Sequence, residues 1–391
     1  MNMLRRGLFL LSRKSKIRIM NNKLIYIANI RLPTEKAHGI QIMKTCESLA
    51  RQGVQVELLV PRRHNTIVTD PFEYYGVERN FTITRLRCID FLVWKFFKWF
   101  SFWLETFTFT VAVRLFLIGK KAPRHTRDLL PALVLPAPVF YEIHTVPERV
   151  TWLHRRAWQR AKGIVVISDG IKQALVRQGV EGKKILIARD AVDIEQFQIA
   201  DTPAECRSKL HLPEQQKIVV YTGHLYEWKG AGILAEAALL LPADIHVYIV
   251  GGTTEDVEKF RQKCRSPNLH IVGWQEHRLM PFWNRAADVV VLPNSAKEKI
   301  GALYTSPLKL FEYMASGTPM VIADLPAMRE VVKEGEAVFF RPDDKQALAD
   351  ALCHVFSNLV KRREVAERLQ RTINQYSWEA RAVLMKNFIF V

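Results

Sequence analysis

Short apolar runs alternate with stretches whose apolar residues recur every three or four positions, and the alternation passes along the chain twice. Residues 24–30 form the first run, of strand length, after Lys23. A loop at 31–39 follows. Ile42, Met43, Cys46 and Leu49 then keep a helical spacing that ends at Gly53, and 54–60 is a second strand. Strand, loop, helix and strand make one βαβ unit and predict a parallel sheet, with the first loop at the carboxyl edge where such sheets bind ligands. Strands at 139–143, 164–167 and 184–188, with helices at 150–161 and 171–177, continue the series. Residues 194–216 are polar, contain Pro203 and Pro213, and mark a domain boundary. A second series then predicts strands at 218–222, 246–250, 270–272, 289–292, 320–323 and 337–340. Its helices fall at 229–241, 255–264, 278–286, 307–316, 326–333 and 344–357. The pattern predicts an α/β protein: a basic leader at 1–22, Rossmann-like doubly wound domains at 23–195 and 205–376 facing across a cleft, and a terminal helix at 377–391.

One segment breaks the alternation. Residues 91–118 gather Phe91, Trp94, Phe96, Phe97, Trp99, Phe100, Phe102, Trp103, Phe107 and Phe109 around Lys95, Lys98, Glu105 and Arg114. A helix apolar on nearly all sides is buried inside a domain or lies at a bilayer interface, and the sequence leaves both open. No stretch is long and uncharged enough to predict a transmembrane helix.

Composition sharpens this picture in three places. A chain of 391 residues with 49% hydrophobic residues suits two globular cores. The net charge of +18 is uneven: residues 1–130 carry 23 Lys and Arg against 9 Asp and Glu. A nucleic acid, an anionic bilayer or an acidic substrate would each suit that half. The five cysteines have neither metal-ligand nor redox spacing, so a reducing, cytoplasmic setting is expected and no metal site is predicted. The apolar piece at 7–11 is too short for a signal-peptide core.

The chemistry concentrates at 306–324, S-P-L-K-L-F-E-Y-M-A-S-G-T-P-M-V-I-A-D. Ser306 is placed to cap a helix whose first position is Pro307; Gly317 and Pro319 end it before a buried strand. The free N–H groups at its start suit a diphosphate, Lys309 adds a cation beside Leu310, and Glu312 lies on the face of Lys309, placed to accept from ribose hydroxyls. A second phosphate-seeking loop, Gly223-His-Leu-Tyr-Glu-Trp-Lys-Gly230, directly follows a strand.

These two motifs resemble the nucleotide-binding end of the retaining GT-B glycosyltransferases of the family 4, or group 1, type. Glu312 and the following Tyr-Met-Ala-Ser-Gly-Thr-Pro match the second half of the family's paired-glutamate signature; the first glutamate is replaced by Tyr304. Lys229 matches the family's phosphate-loop lysine, while His224 stands in place of the usual arginine. The resemblance implies transfer from a nucleoside diphosphate sugar with retention, using no other cofactor. Lys229 and His224 then serve the leaving diphosphate, and His144, at the end of Glu142-Ile-His144, contacts the sugar. It further implies that Gly39 lies near the donor phosphates, that Ser306, Lys309, Leu310, Glu312 and Tyr304 line the nucleotide sugar, and that Trp274 lies near the base. The terminal helix, beginning Ser377-Trp-Glu-Ala-Arg, resembles one that crosses back to the first domain. The basic, aromatic first half points to a glycan or lipid-linked acceptor in cell-surface polysaccharide or glycolipid synthesis, with peripheral attachment to an anionic inner membrane face. Alternatives are a nucleotide-sugar epimerase on the same fold, or a non-enzymatic membrane or nucleic-acid binder. The last lacks a binding motif, so no nucleic-acid partner is expected.

Overall fold

The computed structural model describes residues 22–90, 98–264 and 266–390. The basic leader apart from Asn22, and positions 91–97 of the aromatic segment, lie outside the described residues.

The first domain is a fully parallel seven-stranded sheet. Its strands are β1 (Lys23–Ile27), β2 (Gln55–Arg62), β3 (Thr82–Arg87), β4 (Arg124–Thr126), β5 (Val139–Ile143), β6 (Gly163–Val166) and β7 (Ile185–Ile187), in the order β3-β2-β1-β4-β5-β6-β7. The second is a parallel six-stranded sheet of β8 (Lys217–Thr222), β9 (Ile245–Val250), β10 (Leu269–Gly273), β11 (Val289–Leu292), β12 (Met320–Ala323) and β13 (Val338–Phe340), in the order β10-β9-β8-β11-β12-β13. Strand order reverses at β1/β4 and again at β8/β11, and each reversal opens a crevice at the carboxyl edge. Central strands are apolar on both faces: Val219 and Val220 of β8 pair with Val247 and Tyr248 on one side and Val289 and Val290 on the other.

Differences from the sequence expectation have local causes. β1 stops at Ile27 rather than at residue 30, where Asn29 turns its N–H to the Asp128 carboxylate at 2.8 Å. β4 has no apolar run because its three residues are the buried Arg124, His125 and Thr126. Arg124 is anchored on the Ala137 carbonyl at 2.9 Å and His125 on Glu142 at 2.7 Å, which is how polar side chains occupy a sheet interior. The helix expected from residue 40 begins at Ala37, so Gly39 lies in its first turn rather than in a loop. The polar stretch 194–216 holds two short helices, Ile194–Phe197 and Pro203–Lys209. Arg207 ties the second to Asp288 at 2.8 Å.

The aromatic helix Lys98–Phe116 is inside-out. Its buried side presents Ser101, Glu105, Thr106 and Thr110 beside Phe109, Val113 and Leu117, which pack on Ile25, Ile27 and Leu59. Phe100, Trp103, Phe107, Val111 and Leu115 face outward. The polar side is drawn inward because Glu105 pairs with Arg63 and accepts from Asn29 at 3.2 Å. Enclosure of this helix within the first domain is therefore not what its described part shows.

The chain crosses between domains twice, side by side: the Val192 N–H donates to the Tyr376 carbonyl at 3.0 Å. The terminal helix Trp378–Phe390 lies on the first domain, with Ala382, Met385 and Ile389 in its core. Buried Arg381 donates to Glu142 at 2.8 Å, to Thr45 at 2.9 Å and to the Arg189 carbonyl at 3.0 Å. Glu142 also accepts from His125 and from His144. Removing either charge of this buried pair would leave the other uncompensated.

Candidate active site between the two domains

On the second domain, the chain leaves β8 through Gly223 and His224. The Tyr221 hydroxyl donates to the His224 carbonyl at 2.7 Å. A turn at Glu227–Lys229 follows, closed by Gly230 at φ 74°. A Cβ at Gly230 would lie 1.7 Å from the Pro293 carbonyl oxygen, so only glycine lets this loop press against the end of β11.

The helix Leu308–Ser316 points its start at the same place. No side chain caps it and its first turn holds no acidic residue. Ser306 was expected as the cap; its hydroxyl instead accepts the Asp190 N–H at 3.0 Å, and Pro307 occupies the cap position. The helix end therefore keeps its free donors and positive dipole for a ligand.

Lys309 is the most telling residue. Its ammonium is buried, makes no hydrogen bond, and sits 3.8 Å from the Tyr221 ring centroid. A Cβ on Gly223 would stand 3.7 Å from it. Burial first, and then Lys229, pushes its pKa well below the ordinary value. Burial likewise lowers Lys229 to about 8, with Glu312 opposing. Glu312 hydrogen-bonds His277 at 3.0 Å. His224 falls below its ordinary value through burial and then Lys229, so it is neutral near pH 7 and serves as a hydrogen-bonding group, not a cation. Its Nδ1 is buried without a partner, as are both polar atoms of Asn294, just beyond β11. Sequence reasoning passed over Asn294; its place one residue after Pro293, at a strand's carboxyl end, was the available signal.

The first domain supplies the opposite wall. His144 follows β5 and donates to Glu142 at 2.8 Å; burial and then Arg127 hold its pKa near 4, so the ring is neutral. A cavity of about 380 Å³ at the carboxyl edge of β1 is lined by Asn29, Arg31, Thr34, Lys36, His38 and Arg63, among others. Two residues at its rim, Lys36 and Glu35, act electrostatically on His224.

The remaining expected residues are placed differently. Gly39 has a packing reason to be bare, since a Cβ would lie 2.1 Å from the Tyr75 hydroxyl. The Leu310 side chain is fully buried in the second core. Trp274 is exposed beyond the outer strand β10. Tyr304 joins the apolar cluster of Tyr141, Ile143, Trp158 and Ile171, so it packs one domain against the other.

Two Rossmann-like domains with a charged cleft between them match the GT-B architecture of solved glycosyltransferases. Residues 216–358 match the family described as Glycosyl transferases group 1. The chain is 27% identical over 364 residues to a phosphatidyl-myo-inositol mannosyltransferase of Mycobacterium tuberculosis, covering 87% of this chain and 89% of the relative. A D-inositol 3-phosphate glycosyltransferase of Corynebacterium urealyticum is 28% identical over 236 residues, 55% of this chain and 54% of the relative. In fold it matches sucrose-phosphate synthase from Thermosynechococcus elongatus, with a TM-score of 0.76 at 17% identity over 93% of this chain and 98% of that one. HepE of Anabaena, solved with UDP-glucose, matches at 0.72 and 15% identity over 93% and 98%.

The depressed lysines predict that binding of a diphosphate here depends on pH. An anion favours the ammonium form, so binding near pH 8 draws protons from solution, and affinity falls as pH rises through that range. Calorimetry of UDP or GDP binding in buffers of different ionisation enthalpy should show proton uptake, smaller in Lys229→Met. No uptake at any pH would contradict the assignment.

Proposed function

We propose that the protein transfers a sugar from a nucleoside diphosphate sugar, with retention at the anomeric carbon, to a glycan or lipid-linked acceptor in glycolipid or cell-surface polysaccharide synthesis. The observation that carries this is the buried, unpartnered Lys309 ammonium at an uncapped helix start, beside Lys229 and Glu312. An isolated buried cation is costly, and a diphosphate supplies the missing charge. Glu312 takes the ribose hydroxyls, while Lys229, Lys309 and the helix start hold the phosphates.

In the chemical step the sugar–oxygen bond breaks and its electron pair passes to the diphosphate. The acceptor oxygen bonds to the anomeric carbon from the same face and gives its proton to the departing phosphate oxygen. Charge grows on the diphosphate, where Lys229 and Lys309 are strongest in the transition state. His144 is neutral and serves the sugar as a hydrogen-bonding group.

The acceptor side supports a membrane setting. The outward stripe Phe100, Trp103, Phe107, Val111 and Leu115 is flanked by Arg114, Lys120 and Lys121. Aromatic and aliphatic tips with basic neighbours fit an anionic bilayer interface. Among the described residues, no helix is long and apolar enough to cross a membrane. We place the protein in the cytoplasm, peripheral on the inner face. The relative named as a phosphatidyl-myo-inositol mannosyltransferase favours a lipid acceptor.

Two experiments test this. UDP-, GDP- and ADP-sugars screened by thermal shift should give one stabilising donor, and the product should keep the donor's anomeric configuration by NMR. Lys229→Ala should then lower kcat by about 100- to 1,000-fold with the fold intact. An inverted product, or unchanged turnover in Lys229→Ala, would refute the mechanism. Separately, the protein should float with vesicles of about 30% anionic lipid at low salt, and less at high salt. Phe100→Ser with Phe107→Ser should lose flotation and keep the donor-induced thermal shift; equal flotation with neutral vesicles would remove the electrostatic part of the assignment.

A further inference from the structure

The linker residue Asp190 touches both walls of the cleft. It is 8% exposed. Its backbone N–H donates to the Ser306 hydroxyl at 3.0 Å, at the entrance to the Leu308–Ser316 helix. Its carboxylate Oδ1 accepts from Gln41 Nε2 at 2.5 Å. Gln41 is buried in the Ala37–Arg51 helix, and the same Nε2 lies 3.4 Å from His144 Nε2 and 3.4 Å from Glu142 Oε1. Its Oε1 accepts from Arg127. One linker residue thus holds the phosphate-side helix start through its backbone, and through one carboxamide that donates to Glu142 it reaches the carboxylate that orients the sugar-side histidine.

We propose that Asp190 is a positioning residue for transfer: it sets the spacing between the diphosphate-binding helix start and His144 across the domain boundary. This rests on the transferase reading of the cleft and assigns a role to a residue that contacts neither substrate. The ionised carboxylate offers Gln41 an acceptor at full strength; protonation weakens that bond and loosens its hold on the carboxamide. Burial raises Asp190 to about 6, opposed by Arg381 and Arg127 and by the bond from Gln41, while Glu142 adds to the rise. His144, facing the same carboxamide, is already neutral in this range. Asp128 also titrates near 6, but it is bonded to Asn29. Asp190 is ionised and holds Gln41 above about pH 6, so turnover should fall as pH drops through that value.

The experiment compares Asp190→Ala, Asp190→Asn and Asp128→Asn in the full-length protein. Turnover of UDP-glucose or GDP-mannose, whichever the wild type uses, is measured from about pH 5 to about pH 8, with UDP or GDP affinity by calorimetry. Asp190→Ala should lower kcat at least about tenfold, with donor KM and nucleotide Kd within about twofold. Asp190→Asn keeps only a neutral acceptor, as the protonated carboxyl does; its kcat should sit near the wild type's acid-side value at every pH and show no acidic decline, which Asp128→Asn should leave in place. Wild-type kcat in Asp190→Ala, or an unchanged acidic decline in Asp190→Asn, would overturn the proposal. If Asp190→Ala does not fold, the Asp190→Asn profile decides. Absence of nucleotide binding in the wild type would instead strike the transferase reading itself.

Discussion

The cleft is built around an ammonium that the protein leaves without a partner. Lys309 is buried against the Tyr221 ring, its like-charged neighbour is Lys229, and Glu312 is already bonded to His277. A cation–π contact recovers only part of the lost hydration. A fold that wanted stability alone would have placed an apolar side chain here. The surrounding backbone is fitted to this charge: Gly230 lets the lysine loop press on the end of β11, and the uncapped helix adds its dipole. The β8/β11 reversal brings all of them to one edge.

Such a site works only if the second wall is held at a fixed distance. The first domain is closed onto the terminal helix by the buried Arg381–Glu142 pair, and Glu142 also orients His144. Glu330 of the second domain accepts the Asp169 N–H at 2.9 Å, the Gly170 N–H at 3.2 Å and Arg189 at 2.9 Å, capping a helix of the first. Next to it, Ser168 donates to the Leu303 carbonyl at 3.0 Å, and Tyr304 enters the first domain's apolar cluster. The residue standing in place of the family's first glutamate has thus become part of the domain contact. Exchanging a carboxylate for an aromatic ring suits an apolar seat.

The sheets were legible because buried parallel strands are continuous apolar runs; β5, β11 and β12 match the expected residues throughout. β4 was not, since buried Arg124 and His125 are anchored on the Ala137 carbonyl and on Glu142, in and before the next strand, and no periodicity reports that. At the site, Lys229, Lys309 and Glu312 could be read from two local motifs with caps and glycines. Ser306 could be placed but not understood, because its partner is the Asp190 backbone across the boundary. Gln41, Arg127 and Asp190 carry no local signature and acquire meaning only when β1, β4, β5 and the linker meet. For the aromatic helix, composition could not choose between core and surface; the Glu105–Arg63 pair turns its apolar side outward.

The central claim is that the unpaired Lys309 charge exists for a diphosphate, and Lys309→Met tests it most directly. The measurement pairs calorimetric affinity for UDP or GDP with the unfolding midpoint of the ligand-free protein. Methionine fills similar volume without the charge, so the ligand-free midpoint should hold or rise while affinity falls by about 100-fold or more. Wild-type affinity together with a lowered midpoint would show that the ammonium is structural and would contradict the account.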